Sequence, residues 1–193
     1  MEFVYNMDYA VLNFLQDHLR CGFLDGFFRF VTGFGAGGIF WMALAALFLC
    51  FRRTRKMGLC MGIALALGAL SANLLLKPLV ARVRPYENPE YLHLIRVTRD
   101  ELISRVPPDF SFPSGHALSS VECGLSIFFQ NRKLGVPALI LGFLVAFSRL
   151  YLYMHYFTDV LASAVLGAGF AVAAFFLGGW IARKFVFLKA ENP

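Results

Sequence analysis

Three long stretches without a single charged residue set the first limit on how this chain can fold. They cover residues 30–51, 57–76 and 160–181. Each is about twenty residues long, which is enough for an α-helix to cross the hydrocarbon core of a bilayer. Backbone groups inside a bilayer must find their hydrogen bonds within the protein, so stretches of this kind cross as helices. The sequence therefore predicts an all-α membrane protein.

Two further stretches are apolar but not free of charge, since 114–131 contains Glu122 and 134–153 contains Arg149. Charged residues make up only 16% of the chain and the mean hydropathy is +0.64, whereas soluble domains carry about 25% charged residues. We predict one domain, residues 1–193, folded as a polytopic transmembrane bundle of about five to six helices. Its predicted spans are 26–51, 57–76, 114–131, 134–153 and 157–182, with an extracytoplasmic loop at 82–113.

The first 25 residues have no long apolar run and instead indicate an amphipathic helix over 1–25. Its apolar positions are Phe3, Met7, Val11, Phe14 and Leu19, and its polar positions are Asn6, Asn13, Gln16 and Asp17. We interpret it as a helix that lies on the membrane surface. A helix packed against the bundle is the alternative.

Three short polar motifs interrupt this apolar chain. They are 77–85 (KPLVARVRP), 113–116 (PSGH) and 148–159 (SRLYLYMHYFTD). The first and third supply the cations Lys77, Arg84 and Arg149, and unpaired charge is costly in a membrane. An anion with several oxygens suits such a group, because arginine presents a planar fork to phosphate and lysine a point charge.

The remaining motif residues add donors and proton-transfer groups. Ser114 and Gly115 precede a predicted helix, whose N-terminus offers free N–H groups and a positive dipole end to an anion. His116 and His155 can move protons near neutral pH. Asp159 follows His155 by four residues, so on a helix the two share a face. The carboxylate can then hold one imidazole nitrogen and leave the other free to attack.

In this order and with these spacings, the motifs resemble the signature of the type 2 phosphatidic acid phosphatase (PAP2) family. The resemblance implies a lipid phosphatase in which His155 forms a phosphohistidine, Asp159 orients His155, and His116 protonates the leaving oxygen. It implies phosphate contacts from Lys77, Arg84, Ser114, Gly115, His116 and Arg149. It also implies that no metal and no cofactor takes part, and the sequence has no His, Cys or carboxylate cluster with metal-ligand spacing.

The motifs bind phosphate and do not read the lipid tail. The resemblance to small bacterial members of the family makes undecaprenyl diphosphate, hydrolysed to undecaprenyl phosphate, the leading hypothesis. Phosphatidylglycerophosphate and phosphatidic acid are the alternatives. A function of another class, a small transporter or channel using Glu122, Arg149 and His155, is disfavoured because the chain is short and shows no inverted repeat.

The expected partners are a lipid phosphate and membrane lipids. The net charge of +6 comes without a nucleic-acid motif, and the sequence does not determine the oligomeric state.

Five spans would bring all three motifs to one membrane face. The opposite face collects basic residues: Arg52, Arg53, Arg55, Lys56, Arg132, Lys133, Arg183, Lys184 and Lys189. Basic loops mark the cytoplasmic side, so we expect the site on the extracytoplasmic face of a bacterial cytoplasmic membrane.

Glu122 is a functional candidate because it is an intramembrane carboxylate. We expect it on a different face from His116, hydrogen-bonded to Asn73 or a serine.

Overall fold

Helices form nearly all of the regular structure in the computed structural model, which describes residues 2–102 and 109–184. No β-strand occurs in these two ranges, and the prediction of an all-α fold is confirmed. The helices are α1 (Glu2–Leu19), α2 (Gly22–Thr32), α3 (Ile39–Cys50), α4 (Arg55–Ala69), α5 (Lys77–Val80), α6 (Gly115–Phe128), α7 (Arg132–Tyr151) and α8 (Phe157–Lys184).

Four helical segments in the described residues are long and apolar enough to cross a membrane. They are Gly22–Cys50, Arg55–Val80, Arg132–Tyr151 and Phe157–Lys184. The first contains a 3-10 turn whose Gly37 and Gly38 have φ angles of 58° and 68°, a left-handed conformation that glycine adopts at little cost. The four segments correspond to the predicted spans 26–51, 57–76, 134–153 and 157–182.

The fifth predicted span, 114–131, is α6 and is shorter than predicted. It has 14 residues, fewer than the about twenty that a bilayer-crossing helix needs. Instead of facing lipid, α6 is enclosed by α4, α7 and α8. A Cβ atom on Gly135 of α7 would lie 2.2 Å from the Cα atom of Phe128, so α6 and α7 pack backbone against backbone. A helix buried in protein does not have to match the thickness of the bilayer.

Helix α1 is packed on the bundle through its polar and aromatic face. Tyr9 and Leu12 are buried. The amide of Asn13 donates to the Leu94 carbonyl at 2.9 Å, and that of Gln16 donates to the Tyr151 carbonyl at 2.7 Å. The apolar residues Phe3, Met7, Phe14 and Leu19 are exposed. The structure therefore shows α1 packed against the bundle, which was the alternative interpretation. The apolar side chains of α1 lie on the outer surface of the protein.

The loop that enters α6 is arranged beside the end of α5. It contains two 3-10 helices, Pro89–Leu94 and Arg99–Glu101, and the Ser111 N–H donates to the Arg82 carbonyl at 2.8 Å. Residues 103–108 of the predicted loop 82–113, and Lys189 of the basic face, lie outside the described residues. Because α4 and α7 end where α6 and α8 begin, the three motifs meet at one end of the bundle.

Candidate active site

One cavity of about 340 Å³ joins the three motifs. Six of the predicted site residues line it: Lys77, Arg84, Gly115, His116, Arg149 and His155. Ser114 and Asp159 are fully buried and lie behind this lining. The structure thus brings all eight predicted residues together, six on the cavity wall and two as its support.

His155 is held in one orientation by a backbone carbonyl. Its Nδ1 atom lies 2.7 Å from the carbonyl oxygen of Ser111. A carbonyl oxygen only accepts hydrogen bonds, so Nδ1 carries the proton and Nε2 keeps its lone pair. Nε2 lies 3.4 Å from Nη1 of Arg84, on the cavity. The lone pair of Nε2 is therefore directed at Arg84, one of the predicted phosphate-binding cations.

Asp159 supports His155 differently from the prediction. His155 lies before α8, which begins at Phe157, so the prediction that the two residues share a helical face is wrong. The Asp159 carboxylate lies 3.7 Å from Nδ1 of His155. Its close partners are the Ser111 hydroxyl at 2.5 Å, the Tyr156 N–H at 3.2 Å and the guanidinium of Arg82. Ser111 links the two residues, since its carbonyl holds His155 and its hydroxyl holds Asp159.

Two of the predicted phosphate-binding cations share a carboxylate that the sequence analysis missed. Asp109 makes ion pairs with Lys77 and Arg84. Nη2 of Arg84 donates to the Asp109 carboxylate at 2.5 Å, and its Nε donates to the Asp109 carbonyl at 2.9 Å. Burial favours a raised pKa for Asp109, but the hydrogen bonds from Lys77 and Arg84 outweigh it and hold that pKa below its usual range. A phosphate bound here competes with a charged carboxylate.

Arg149, the third predicted phosphate-binding cation, uses only some of its hydrogen-bond donors. Arg149 is 3% exposed, and its Nη1 donates to the Thr32 hydroxyl at 2.6 Å. Its Nε is buried and has no hydrogen-bond partner within 2–102 and 109–184, and the same holds for the hydroxyl of Ser114. Buried polar atoms are almost always paired. These two, beside the free N–H groups at the start of α6, form a set of donors suited to an oxyanion.

Glu122 lines the same cavity as His116, although its position in the helix predicts a different face. The cavity extends along α6, and Ser119 lies between the two. The Oε2 atom of Glu122 is buried without a partner in the described part of the chain, so the predicted bond to Asn73 or a serine is absent. The carboxyl group packs against Gly68, where an added Cβ atom would lie 2.4 Å from Oε2.

The protonation of His155 predicts how activity depends on pH. Burial lowers the pKa of His155 to about 4; nearby Asp159 opposes this shift, and Arg84 and Arg149 add to it. His155 is therefore neutral at pH 7, and its Nε2 lone pair is lost to protonation only as the pH falls through that low pKa. We expect kcat/KM, which reports the free enzyme, to persist well below pH 6 and to fall near pH 4.

The phosphate group of the substrate also titrates, so the measurement needs two substrates whose phosphates differ in pKa. If the fall in kcat/KM at low pH occurs at the same pH with both substrates, it belongs to a group on the protein. A substrate-independent limb near pH 6.5, the ordinary range for histidine, contradicts this prediction.

Comparison with known proteins identifies the family. The model of the PAP2 superfamily matches residues 55–182, a range that contains all three motifs. The chain belongs to the PAP2 superfamily. The matched range begins with α4 and ends in α8, so α1, α2 and α3 lie before it.

Several PAP2 relatives are similar over most of the chain. An undecaprenyl-diphosphatase of Sulfolobus acidocaldarius is 30% identical over 177 residues, which cover 88% of this chain and 73% of the relative. A lipid A 4′-phosphatase of Bacteroides thetaiotaomicron is 32% identical over 194 residues, covering 94% and 77%. Together with the family match, these relatives show that the protein is a PAP2 family lipid phosphatase.

The fold agrees with a solved PAP2 structure. A PAP2 type phosphatidylglycerolphosphate phosphatase from Bacillus subtilis superposes with a TM-score of 0.69 at 24% identity, covering 96% of this chain and 89% of the other. With the four apolar helical segments, this likeness makes the chain an integral membrane protein. The family match and the names of these relatives support the phosphatase prediction over the transporter or channel hypothesis.

Proposed function

We propose that this PAP2 phosphatase hydrolyses undecaprenyl diphosphate to undecaprenyl phosphate through a phosphohistidine on His155, without a metal. The observation that carries the proposal is the unprotonated Nε2 of His155, fixed by the Ser111 carbonyl, in one cavity with Lys77, Arg84 and Arg149. The substrate is supported by the Sulfolobus acidocaldarius relative, whose name states an undecaprenyl-diphosphatase.

The reaction takes two steps. First, the Nε2 lone pair of His155 forms a bond to the terminal phosphorus as the bond from phosphorus to the leaving oxygen breaks. His116 gives its proton to that oxygen, and undecaprenyl phosphate leaves. Second, a water molecule attacks the phosphohistidine, its proton passes to His116, and the phosphorus–nitrogen bond breaks. Inorganic phosphate is released and both histidines return to their starting states.

The other residues stabilise charge as it develops. Phosphoryl transfer depends largely on positioning and on electrostatic stabilisation of the three equatorial oxygens. Lys77, Arg84 and Arg149 supply three positive charges around the cavity, and Ser114 and Gly115 supply donors at the start of α6. Asp159 keeps His155 oriented through Ser111. In a site lined by buried side chains, such fixed donors act more strongly than they do in water.

Lipid phosphomonoesters form the second candidate substrate class. The Bacteroides thetaiotaomicron relative is named for lipid A 4′-phosphate, and the sequence left phosphatidylglycerophosphate and phosphatidic acid open. The same two histidines serve a monoester, since only the leaving group differs.

A panel of lipid substrates tests the function directly. We expect the purified protein to release phosphate from undecaprenyl diphosphate with a higher kcat/KM than from phosphatidylglycerophosphate, phosphatidic acid or lipid A. We expect the rate to be unchanged by excess chelator and to be inhibited by vanadate, which resembles the trigonal transition state. The His155→Ala protein, purified in parallel, reports contaminating phosphatase.

If the protein prefers a monoester in this panel, the proposed substrate is wrong, whereas the proposed mechanism still holds. Loss of activity in chelator that is restored by magnesium or zinc contradicts the metal-independent mechanism.

Labelling of single cysteines tests the proposed orientation. Cys21, Cys50, Cys60 and Cys123 are free cysteines and are first replaced by serine. Glu90 and Arg132 are both exposed and lie toward opposite ends of the bundle. We expect Glu90→Cys in intact cells to react with an impermeant maleimide, and Arg132→Cys to react only after permeabilisation, because the basic loops are cytoplasmic. The reverse pattern overturns the orientation and leaves the catalytic assignment intact.

A further inference from the structure

Behind the cavity, the Asp159 carboxylate makes an ion pair with Arg82. Arg82 belongs to the first motif by position, but it does not line the cavity. The same Nη1 atom that contacts Asp159 also donates to the Thr158 hydroxyl at 2.8 Å. Asp159 therefore presents one oxygen to Arg82 and the other to Ser111.

The other terminal nitrogen of Arg82 reaches the N-terminal helix. Nη2 donates to the carboxylate of Asp8 at 2.7 Å. Asp8 also accepts from the Thr158 N–H at 2.8 Å and from the Thr158 hydroxyl at 2.7 Å. A carboxylate at the first turn of a helix satisfies a free N–H and complements the helix dipole. Asp8 thus holds both Arg82 and the start of α8, which carries Asp159.

The group is buried and its geometry is fixed from several sides. Asp8 and Asp159 are fully buried, and the side chain of Arg82 is 10% exposed. The guanidinium carbon lies 3.9 Å from the centre of the Tyr156 ring and 4.7 Å from that of Tyr5, contacts that stabilise a cation and restrict its plane. Removing one partner of a buried ion pair leaves an uncompensated charge, which is strongly unfavourable.

We propose that Arg82 and Asp8 are positioning residues for His155. Helix α1, which carries Asp8, thereby contributes to the geometry of the active site. Arg82 fixes one oxygen of Asp159, which leaves the other directed at Ser111 and the imidazole. Asp8 fixes Arg82 and the first turn of α8 together. The inference rests on the proposed role of His155 as nucleophile. It goes beyond the family match, since residues 55–182 do not include α1.

Steady-state kinetics of the purified full chain test the positioning role. We expect Arg82→Ala to lower kcat by about 10- to 100-fold, the size of loss seen when a residue that orients a metal-binding side chain is removed. KM should stay within about twofold, because no residue of the cavity wall changes. Asp8→Asn should lower kcat less, Arg82→Lys should restore part of the rate, and the double variant should be no slower than Arg82→Ala alone. The matched control is Arg99→Ala, which removes the exposed ion pair of Arg99 with Glu87.

A second measurement reports the imidazole itself and needs no substrate. Protein labelled with 15N at histidine is recorded near neutral pH, and the His155 signals are assigned by their loss in His155→Ala. We expect the wild type to show one tautomer, with the proton on Nδ1. In Arg82→Ala and Asp8→Asn we expect shifted or averaged signals, which Arg82→Lys partly reverses and Arg99→Ala does not produce.

The two measurements separate this inference from the proposed function. If the wild type releases phosphate from no lipid, the proposed function fails, and the His155 signals alone decide the positioning role. Unchanged His155 signals in folded Arg82→Ala protein overturn the inference, whatever happens to kcat, because the loss of rate is then general destabilisation. Shifted signals together with a kcat effect at constant KM support it.

Discussion

Replacing His155 with alanine is expected to lower kcat by about 10⁴- to 10⁶-fold, the range seen when an enzyme loses its nucleophile. The loss is this large because the covalent intermediate of the proposed mechanism forms on His155, and water attacking directly must do so without the aligned Nε2 lone pair. Phosphate release from the preferred lipid measures the effect. Alanine removes no charge, and it removes the hydrogen bond to the Ser111 carbonyl and the 3.4 Å contact with Arg84, so the variant should stay folded and monodisperse in detergent.

The matched control for this variant is His93→Ala, since His93 is exposed and lies in the loop 82–113, outside the cavity lining. Quenching the wild type during turnover should trap an acid-labile phosphate on His155 that the alanine variant lacks. Turnover by His155→Ala at the wild-type rate contradicts the assignment of the nucleophile.

Replacing His116 with alanine is expected to cost about 10²- to 10⁴-fold in kcat/KM, the usual contribution of a general acid, and the size of the loss should depend on the leaving group. A poor leaving group such as the alkoxide of phosphatidic acid needs a proton as the bond to phosphorus breaks. An aryl phosphate leaves without one and should lose far less rate. His116 lines the cavity opposite Gly35, where an added Cβ atom would lie 2.7 Å from the imidazole.

The measurement for His116 is the ratio of wild-type to variant kcat/KM across alkyl and aryl phosphates with leaving groups of increasing acidity. This parameter reports the first step, whereas the second step uses His116 with every substrate. A ratio that falls steadily along the series supports the acid role. Equal losses across the series contradict it and make His116 a phosphate-binding residue.

The convergence of the motifs could be predicted because it follows from order and span length alone. Lys77 follows the second apolar segment, His116 begins the next helix, and Arg149 ends the one after it. Helices that alternate in direction then bring these three residues to one end. The short α6 does not change this arrangement, because α6 still runs from the site to the opposite end of the bundle even though it is enclosed by protein.

The supporting residues could not be predicted in the same way. Ser111 and Asp109 act through contacts with residues far away in the sequence, and no spacing rule connects them. Helical spacing does not account for the closeness of His155 and Asp159, since His155 lies in the turn before α8. For α1, hydrophobic periodicity identified the apolar stripe but not the polar face that docks, because Asn13 and Gln16 bind backbone carbonyls that only the folded loop and the end of α7 present.

Asp8 and Thr158 are 150 positions apart and share two hydrogen bonds, which has a consequence for synthesis. A chain is made from its N-terminus, so α1, Lys77, Arg84 and His116 enter the membrane before Asp159 has been translated. Until α8 inserts, Asp8 has no helix start to bind, and Arg82 lacks the carboxylate of Asp159. The arrangement around His155 is therefore completed only late in biogenesis.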